Sequence, residues 1–211
     1  AACMAATSLA GCSGSPGKQT TAAPAAGELG AGQAAQSTAT GEPIKVGVSN
    51  MVTGPMAAGG IRMKQAITMA FEEINADGGV LGGRPLEMVL VDDTGTPTGA
   101  VNAVNKILGE NVSVSIGPHT SPMASATQEL YRKAGVPFIT AATSPKLLEA
   151  ENPYFFRISV SDGAVGPAMV EFAKDKFGVK KIGALYDTDD YGVAADGATK
   201  QYCADNGIEY Y

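Results

Sequence analysis

The pattern that most constrains this chain is a hydrophobic period that keeps switching. From residue 44 onward, short β-branched runs alternate with stretches of helical periodicity. Ile44, Val46 and Val48 mark a strand over 44–49, and Gly54-Pro55 punctuates the loop after it. Met63, Ala66, Ile67, Ala70, Phe71 and Ile74 then fall at i, i+3, i+4, i+7, i+8 and i+11, one face of an amphipathic helix. Asn75-Ala76-Asp77-Gly78-Gly79 ends it, because glycine accepts the left-handed geometry of a C-cap. The cycle repeats, with strands expected at 86–91, 112–116, 136–140, 154–158, 181–186 and from 208. The intervening helices are expected from 97, over 121–133, over 162–177 and over 191–206, with a short helix opening at Pro145. Such alternation predicts an α/β fold whose parallel sheet is covered on both faces. In open sheets of this kind ligands collect at the carboxyl ends of the strands, so the loops after each strand are the candidate site.

The first 42 residues obey different rules. Residues 1–12 are small and apolar, too few to span a bilayer, and read as the end of a signal peptide. Leu9-Ala10-Gly11-Cys12 resembles the bacterial lipobox, in which the cysteine thiol is alkylated with diacylglycerol and becomes the first mature residue. Several acyl chains on Cys12 meet the need for more than one membrane-insertion signal. Residues 13–42 are nearly all Gly, Ala, Ser, Thr, Gln and Pro, with too little to bury against the cost of ordering. They are expected to form a flexible tether.

Composition narrows the function classes. With 15 basic and 21 acidic residues the formal charge is −6, which argues against a nucleic-acid surface. Cys203 stands alone in the folding region and reads as a packing residue, so no internal disulfide is expected there. The single histidine, His119, has no metal-ligand cluster around it. No Gly-x-Gly-x-x-Gly follows Val48 and no Walker loop occurs, so no nucleotide cofactor is implied. An enzyme built on Ser121 and His119 is an alternative, but a nucleophile needs a placed base and an orienting group. The paired acids Asp92-Asp93 and Asp189-Asp190 read more naturally as turn caps than as acid/base pairs.

Several signatures occur in order: Ile44-Lys45-Val46-Gly47 with Thr53-Gly54-Pro55, Ile74-Asn75-Ala76-Asp77-Gly78-Gly79, Val91-Asp92-Asp93, Ile116-Gly117 with Ser121, Ala141-Ala142-Thr143-Ser144-Pro145, Phe156-Arg157 with Asp162, and Tyr186-Asp187 with Asp190-Tyr191-Gly192. Together they resemble the substrate-binding proteins of branched-chain amino acid ABC importers, the leucine/isoleucine/valine-binding type of the type I periplasmic-binding-protein fold. The resemblance implies two Rossmann-like lobes, with lobe 1 over 43–160 and a truncated second lobe beginning at 161–211. It implies an extracytoplasmic protein that hands leucine, isoleucine or valine to ABC permease subunits, lipid-anchored through Cys12, with no cofactor, catalysis or nucleic acid involved. A ligand-sensing domain of the same fold for amides, urea or aromatic acids is the alternative.

The resemblance also assigns ligand-binding residues. Ser121 matches a serine that contacts the ligand carboxylate, and Ser121-Pro122 suits an N-cap followed by Pro at N1. Ala141, Ala142 and Thr143 match a second recognition segment. Asp162 matches an acid at the lobe boundary and also suits an N-cap, while Tyr191 matches a tyrosine at the cleft edge. Two departures stand out. Gly59 and Gly60 occupy the place of an aromatic residue, and the disulfide joining the loops near Gly95 and Thr120 is missing.

Overall fold

The structure is a computed structural model and describes residues 38–211. Seven strands alternate with five helices: β1 (Ile44–Asn50), α1 (Ala57–Ala76), β2 (Leu86–Asp92), α2 (Pro97–Gly109), β3 (Val114–Ile116), α3 (Ser121–Ala134), β4 (Phe138–Thr140), β5 (Phe155–Arg157), α4 (Asp162–Phe177), β6 (Lys181–Ile182), α5 (Asp190–Asp205) and β7 (Glu209–Tyr210). A single 3-10 turn, Pro145–Leu148, stands between β4 and β5. The α/β expectation holds. Strands β1 to β5 form one parallel sheet in the order β2-β1-β3-β4-β5, and β6 pairs with β7 in a second parallel sheet.

Strand order dictates where the helices go. The chain steps from β1 to β2 in one direction and then back past β1 to β3 and β4. Right-handed crossovers therefore place α1 on one face and α2 and α3 on the other. The reversal makes the β1/β3 boundary a topological switch point, where the loops leave toward opposite faces and open a crevice.

The α2/α3 face carries the core. Val104, Tyr131 and Phe138 are buried together, with the Tyr131 ring stacked on Phe138 at 4.4 Å and Phe155 edge-on to Phe138 at 5.5 Å. The Tyr131 hydroxyl reaches Ser115 Oγ at 2.8 Å, so the ring's polar end is satisfied inside the sheet. On the other face, α1 has the expected period but less cover. Met63, Ile67, Phe71 and Ile74 are half-buried, whereas Ala66 and Ala70 are exposed. The helix lies over β1 and β2, and β2 is the sheet's edge strand, so its apolar stripe is covered from one side.

In the first turn of α1, Gly60 is a position that tolerates no side chain. A Cβ there would lie 2.1 Å from the Met51 carbonyl oxygen, and the Gly60 carbonyl accepts a bond from Asn50 Nδ2 at 2.7 Å. The glycine standing in place of an aromatic residue is thus used to bring α1 against the end of β1.

The adjacent acids after β2 organise turns, as their sequence context suggested. Asp92 accepts bonds from the Val52 N–H at 3.1 Å and the Thr94 N–H at 2.9 Å, and from the Thr53 hydroxyl. Asp93 is buried and accepts from Ser49 Oγ and the Gly95 N–H, both at 3.0 Å. Cys203 is buried against Val170 and Ile208, and burial pushes its thiol pKa up, as suits a packing residue.

Residues 38–42, within the segment expected to be a tether, are hydrogen-bonded to the folded region. The Thr38 N–H donates to the Asn75 carbonyl, the Gly41 N–H donates to the Gly83 carbonyl at 2.9 Å, and Arg84 Nε holds the Glu42 carbonyl at 2.8 Å. Backbone polar groups of the α1–β2 connection bind this segment despite its poor composition. Cys12 and the rest of the leader lie outside the described residues. Among the described residues, no helix is long and apolar enough to cross a membrane.

Candidate functional site

The carboxyl ends of β1, β3, β4 and the short β6 converge on a cavity of about 390 Å³. Each strand contributes its following loop. Met56 comes from the connection after β1, His119, Thr120, Ser121 and Pro122 from the turn after β3, and Ala141, Ala142 and Thr143 from the loop after β4. Asp187, Asp189 and Tyr191 face them from the connection between β6 and α5. The first sheet and the β6–α5 connection thus share one cleft.

Ser121 sits differently from the expectation. Thr120 is the N-cap of α3, so Ser121 is the first helical residue and Pro122 the second. Freed from capping, the buried Ser121 hydroxyl accepts a bond from the Ser144 N–H at 3.1 Å. Its own proton has no acceptor among the described residues. Of the amides in the first turn of α3, Pro122 has no N–H and the Ala124 N–H bonds to the Thr120 carbonyl at 2.9 Å, which leaves the Ser121 and Met123 N–H groups without an intrahelical partner.

The 141–144 loop is fixed from behind. Ser159 Oγ donates to the Ala141 carbonyl at 2.9 Å, while the Thr143 carbonyl accepts from Ser161 Oγ at 3.3 Å and from the Asp162 N–H at 3.0 Å. These bonds occupy the Ala141 and Thr143 carbonyls. The Thr143 N–H and hydroxyl take no partner among the described residues.

Asp162 is not brought to the cavity wall, and it is not the cap of α4. Ser161 holds that place, its hydroxyl accepting from the Gly163 N–H at 3.3 Å, and Asp162 is the first helical residue. Two neighbouring residues can both cap, and the one with extended backbone does so. Asp189 caps α5 by accepting from the Tyr191 and Gly192 N–H groups, each at 2.9 Å, which sets Tyr191 at the cavity edge. The Ser144 hydroxyl reaches the Asp190 carbonyl at 3.4 Å and ties the two sides together.

His119 lines the cavity, but both of its ring nitrogens are buried without a hydrogen-bond partner. No bond joins it to Ser121, so the nucleophile and base of the enzyme alternative are not assembled. Burial lowers its pKa to about 4, which leaves the ring neutral at pH 7. Among the described residues no group of acids, histidines and cysteines could hold a metal ion. The lining residues that the sequence reading did not single out as contacts are Met56, His119, Thr120, Pro122, Asp187 and Asp189. The strand-end rule covers all of them, but motif matching alone gives them no weight.

Residues 43–211 match the profile of the periplasmic binding protein family. The chain belongs to this family. A leucine-, isoleucine-, valine-, threonine- and alanine-binding protein of Pseudomonas aeruginosa is 33% identical over 169 residues, covering 80% of this chain and 45% of the relative. The branched-chain amino acid transporter substrate-binding protein of Streptococcus pneumoniae, solved with isoleucine, superposes with a TM-score of 0.70 at 27% identity. That match covers 76% of this chain and 47% of the other. A fatty acid ABC transporter substrate-binding protein of Thermomonospora curvata gives 0.73 at 29% identity, covering 82% and 44%. The chain therefore spans about half the length of the relatives it matches. The family's fold accounts for the strand-end cleft, and the spread of solutes among these relatives leaves the cleft's own chemistry to decide what it takes.

Proposed function

We propose that the protein captures a small amino acid outside the cytoplasm, with a branched aliphatic side chain as the favoured class, and delivers it to an ABC permease. The observation that carries this reading is the convergence of donors on one wall of the cavity. The hydroxyl proton and N–H of Ser121 and the N–H and hydroxyl of Thr143 are without partners among the described residues and available to an anionic group. A helix start favours a carboxylate through its unpaired amides and its dipole. Met56, Ala142 and the Tyr191 ring supply apolar surface nearby. The volume suits a small solute, since such pockets measure about 300 to 1,000 Å³.

In this reading Ser121, Ala141, Ala142 and Thr143 form the carboxylate wall and Tyr191 closes over the solute. Asp162 steadies Thr143 through its backbone and stays one layer back. Ligand contacts made from both sides of the cleft favour the closed form, which the permease then recognises. Lipid attachment at Cys12 would hold the protein at the membrane, as the Leu9-Ala10-Gly11-Cys12 motif suggests.

Titration calorimetry of the intact protein with leucine, isoleucine and valine tests the reading. Saturable one-to-one binding is expected. Absence of heat with all three, and with other small amino acids, rejects it.

A further inference from the structure

Ser144 is not among the residues that line the cavity, yet it ties together three elements that surround it. It is fully buried, and each of its polar groups goes to a different part of the chain. Its N–H donates to Ser121 Oγ at the start of α3 at 3.1 Å, and its carbonyl accepts from Arg157 Nη1 on β5 at 3.2 Å. The hydroxyl is the unusual group. Ser144 stands at the N-cap of the 3-10 turn, where a serine oxygen commonly accepts a backbone N–H, but its side chain makes no cap bond. Instead the hydroxyl donates to the carbonyl of Asp190, the first residue of α5, at 3.4 Å. Among the described residues this is the one hydrogen bond that joins the loops of the first sheet to the β6–α5 side of the cleft.

We propose that Ser144 is a positioning residue, a latch that holds the two sides of the cleft in register without touching the solute. The length of its bond is informative. O–H···O bonds are best near about 2.8 Å, so one at 3.4 Å strengthens as α5 moves toward the first sheet. Asp190 lies between Asp189, the cap of α5, and Tyr191, which lines the cavity, so drawing in its carbonyl draws in Tyr191 as well. From its other end Ser144 orients the Ser121 hydroxyl. A solute engaged by Ser121 and covered by Tyr191 is then gripped by two groups that Ser144 connects, and closure and binding reinforce each other. This rests on the amino-acid reading above and goes beyond it by naming a residue outside the lining that sets the closure equilibrium.

The test compares the intact wild-type protein with Ser144→Ala, which deletes the hydroxyl and keeps the N–H and carbonyl that brace the loop. Stopped-flow binding of isoleucine, X-ray scattering with and without isoleucine, and denaturant unfolding are measured on both. Ser144→Ala should weaken isoleucine about two- to tenfold, the scale of one neutral hydrogen bond acting through the closed fraction, with most of the change in faster release. The solute-free variant should scatter as a more open particle than solute-free wild type, and saturating isoleucine should bring the two to the same size. Unfolding should change less than affinity. If affinity and solute-free size are both unchanged, the latch is overturned and the amino-acid reading survives. If affinity falls only in step with stability while the size stays the same, or the variant fails to fold, the hydroxyl is merely structural and the latch is overturned. If wild type binds no amino acid, that reading fails, and the latch stands or falls on the solute-free scattering alone.

Discussion

The backbone N–H of Ser144 donates to the hydroxyl of Ser121 at 3.1 Å, and both residues are buried. This one bond joins the start of α3 to the loop after β4, the two segments that form the donor wall of the cavity. Ser121→Ala leaves the Ser144 N–H unpaired away from water, at a cost of about 1–3 kcal/mol. Denaturant unfolding should show that loss, and calorimetry should show weaker amino-acid binding of similar size. A variant with full stability and full affinity would remove Ser121 from both roles.

The contact between Gly60 and Met51 is as unforgiving. A Cβ at Gly60 meets the Met51 carbonyl oxygen at 2.1 Å and its carbon at 2.6 Å, both backbone atoms that cannot swing aside. Gly60→Ala must push α1 off the end of β1 and stretch the bond from Asn50 Nδ2. A destabilisation of about 3 kcal/mol is expected from overpacking at this point. Gly59→Ala is the matched control, because a Cβ there meets nothing within 4 Å.

How much of this was legible from residues alone depends on distance along the chain. Element types follow from local period, and the helix over 162–177 matches α4 end to end. Strand lengths do not, because a strand ends where its neighbour does. Apolar composition suggested 181–186, yet only Lys181 and Ile182 pair, opposite Glu209 and Tyr210. The loop positions of Ser121, Thr143 and Tyr191 were visible through motif order, and the structure gathers them at one cavity. The Ser121–Ser144 bond was not visible, since nothing local links residues 23 apart. The cap of α5 was hidden for a different reason. In Tyr-Asp-Thr-Asp-Asp the acids look alike, and only hydrogen bonding picks out Asp189 as the cap.

Asp92 and Asp93 should give stability a pH dependence of opposing sign. For Asp92, desolvation raises the pKa, but bonds from the Thr53 hydroxyl and the Thr94, Thr53 and Val52 N–H groups outweigh it and the pKa is lowered. Its stabilisation is therefore present above the unfolded pKa and is lost as pH falls through the folded one. For Asp93, desolvation dominates over the bonds from Gly95 and Ser49, with Asp92 adding repulsion, and the pKa is raised. The folded state then takes up this proton more readily than the unfolded chain, so the contribution of Asp93 grows more favourable as pH falls. Unfolding measured across the carboxylate range should show a flatter acid limb in Asp92→Asn and a steeper one in Asp93→Asn. Identical limbs in both variants would contradict these assignments.

Asp189 separates position from charge. It lines the cavity as an acid, but its carboxylate is spent on the Tyr191 and Gly192 N–H groups. Removing it should act through position rather than charge. Asp189→Ala leaves the first turn of α5 uncapped, costing about 1 kcal/mol, and loosens Tyr191 at the cavity edge. Asp189→Ser keeps an oxygen for the cap and removes the charge, so it should recover most of the stability. If Tyr191 must be held in place to close over the solute, Asp189→Ser should recover affinity as well. Should Asp189→Ser instead lose affinity while staying as stable as wild type, the charge at this position is what the ligand feels.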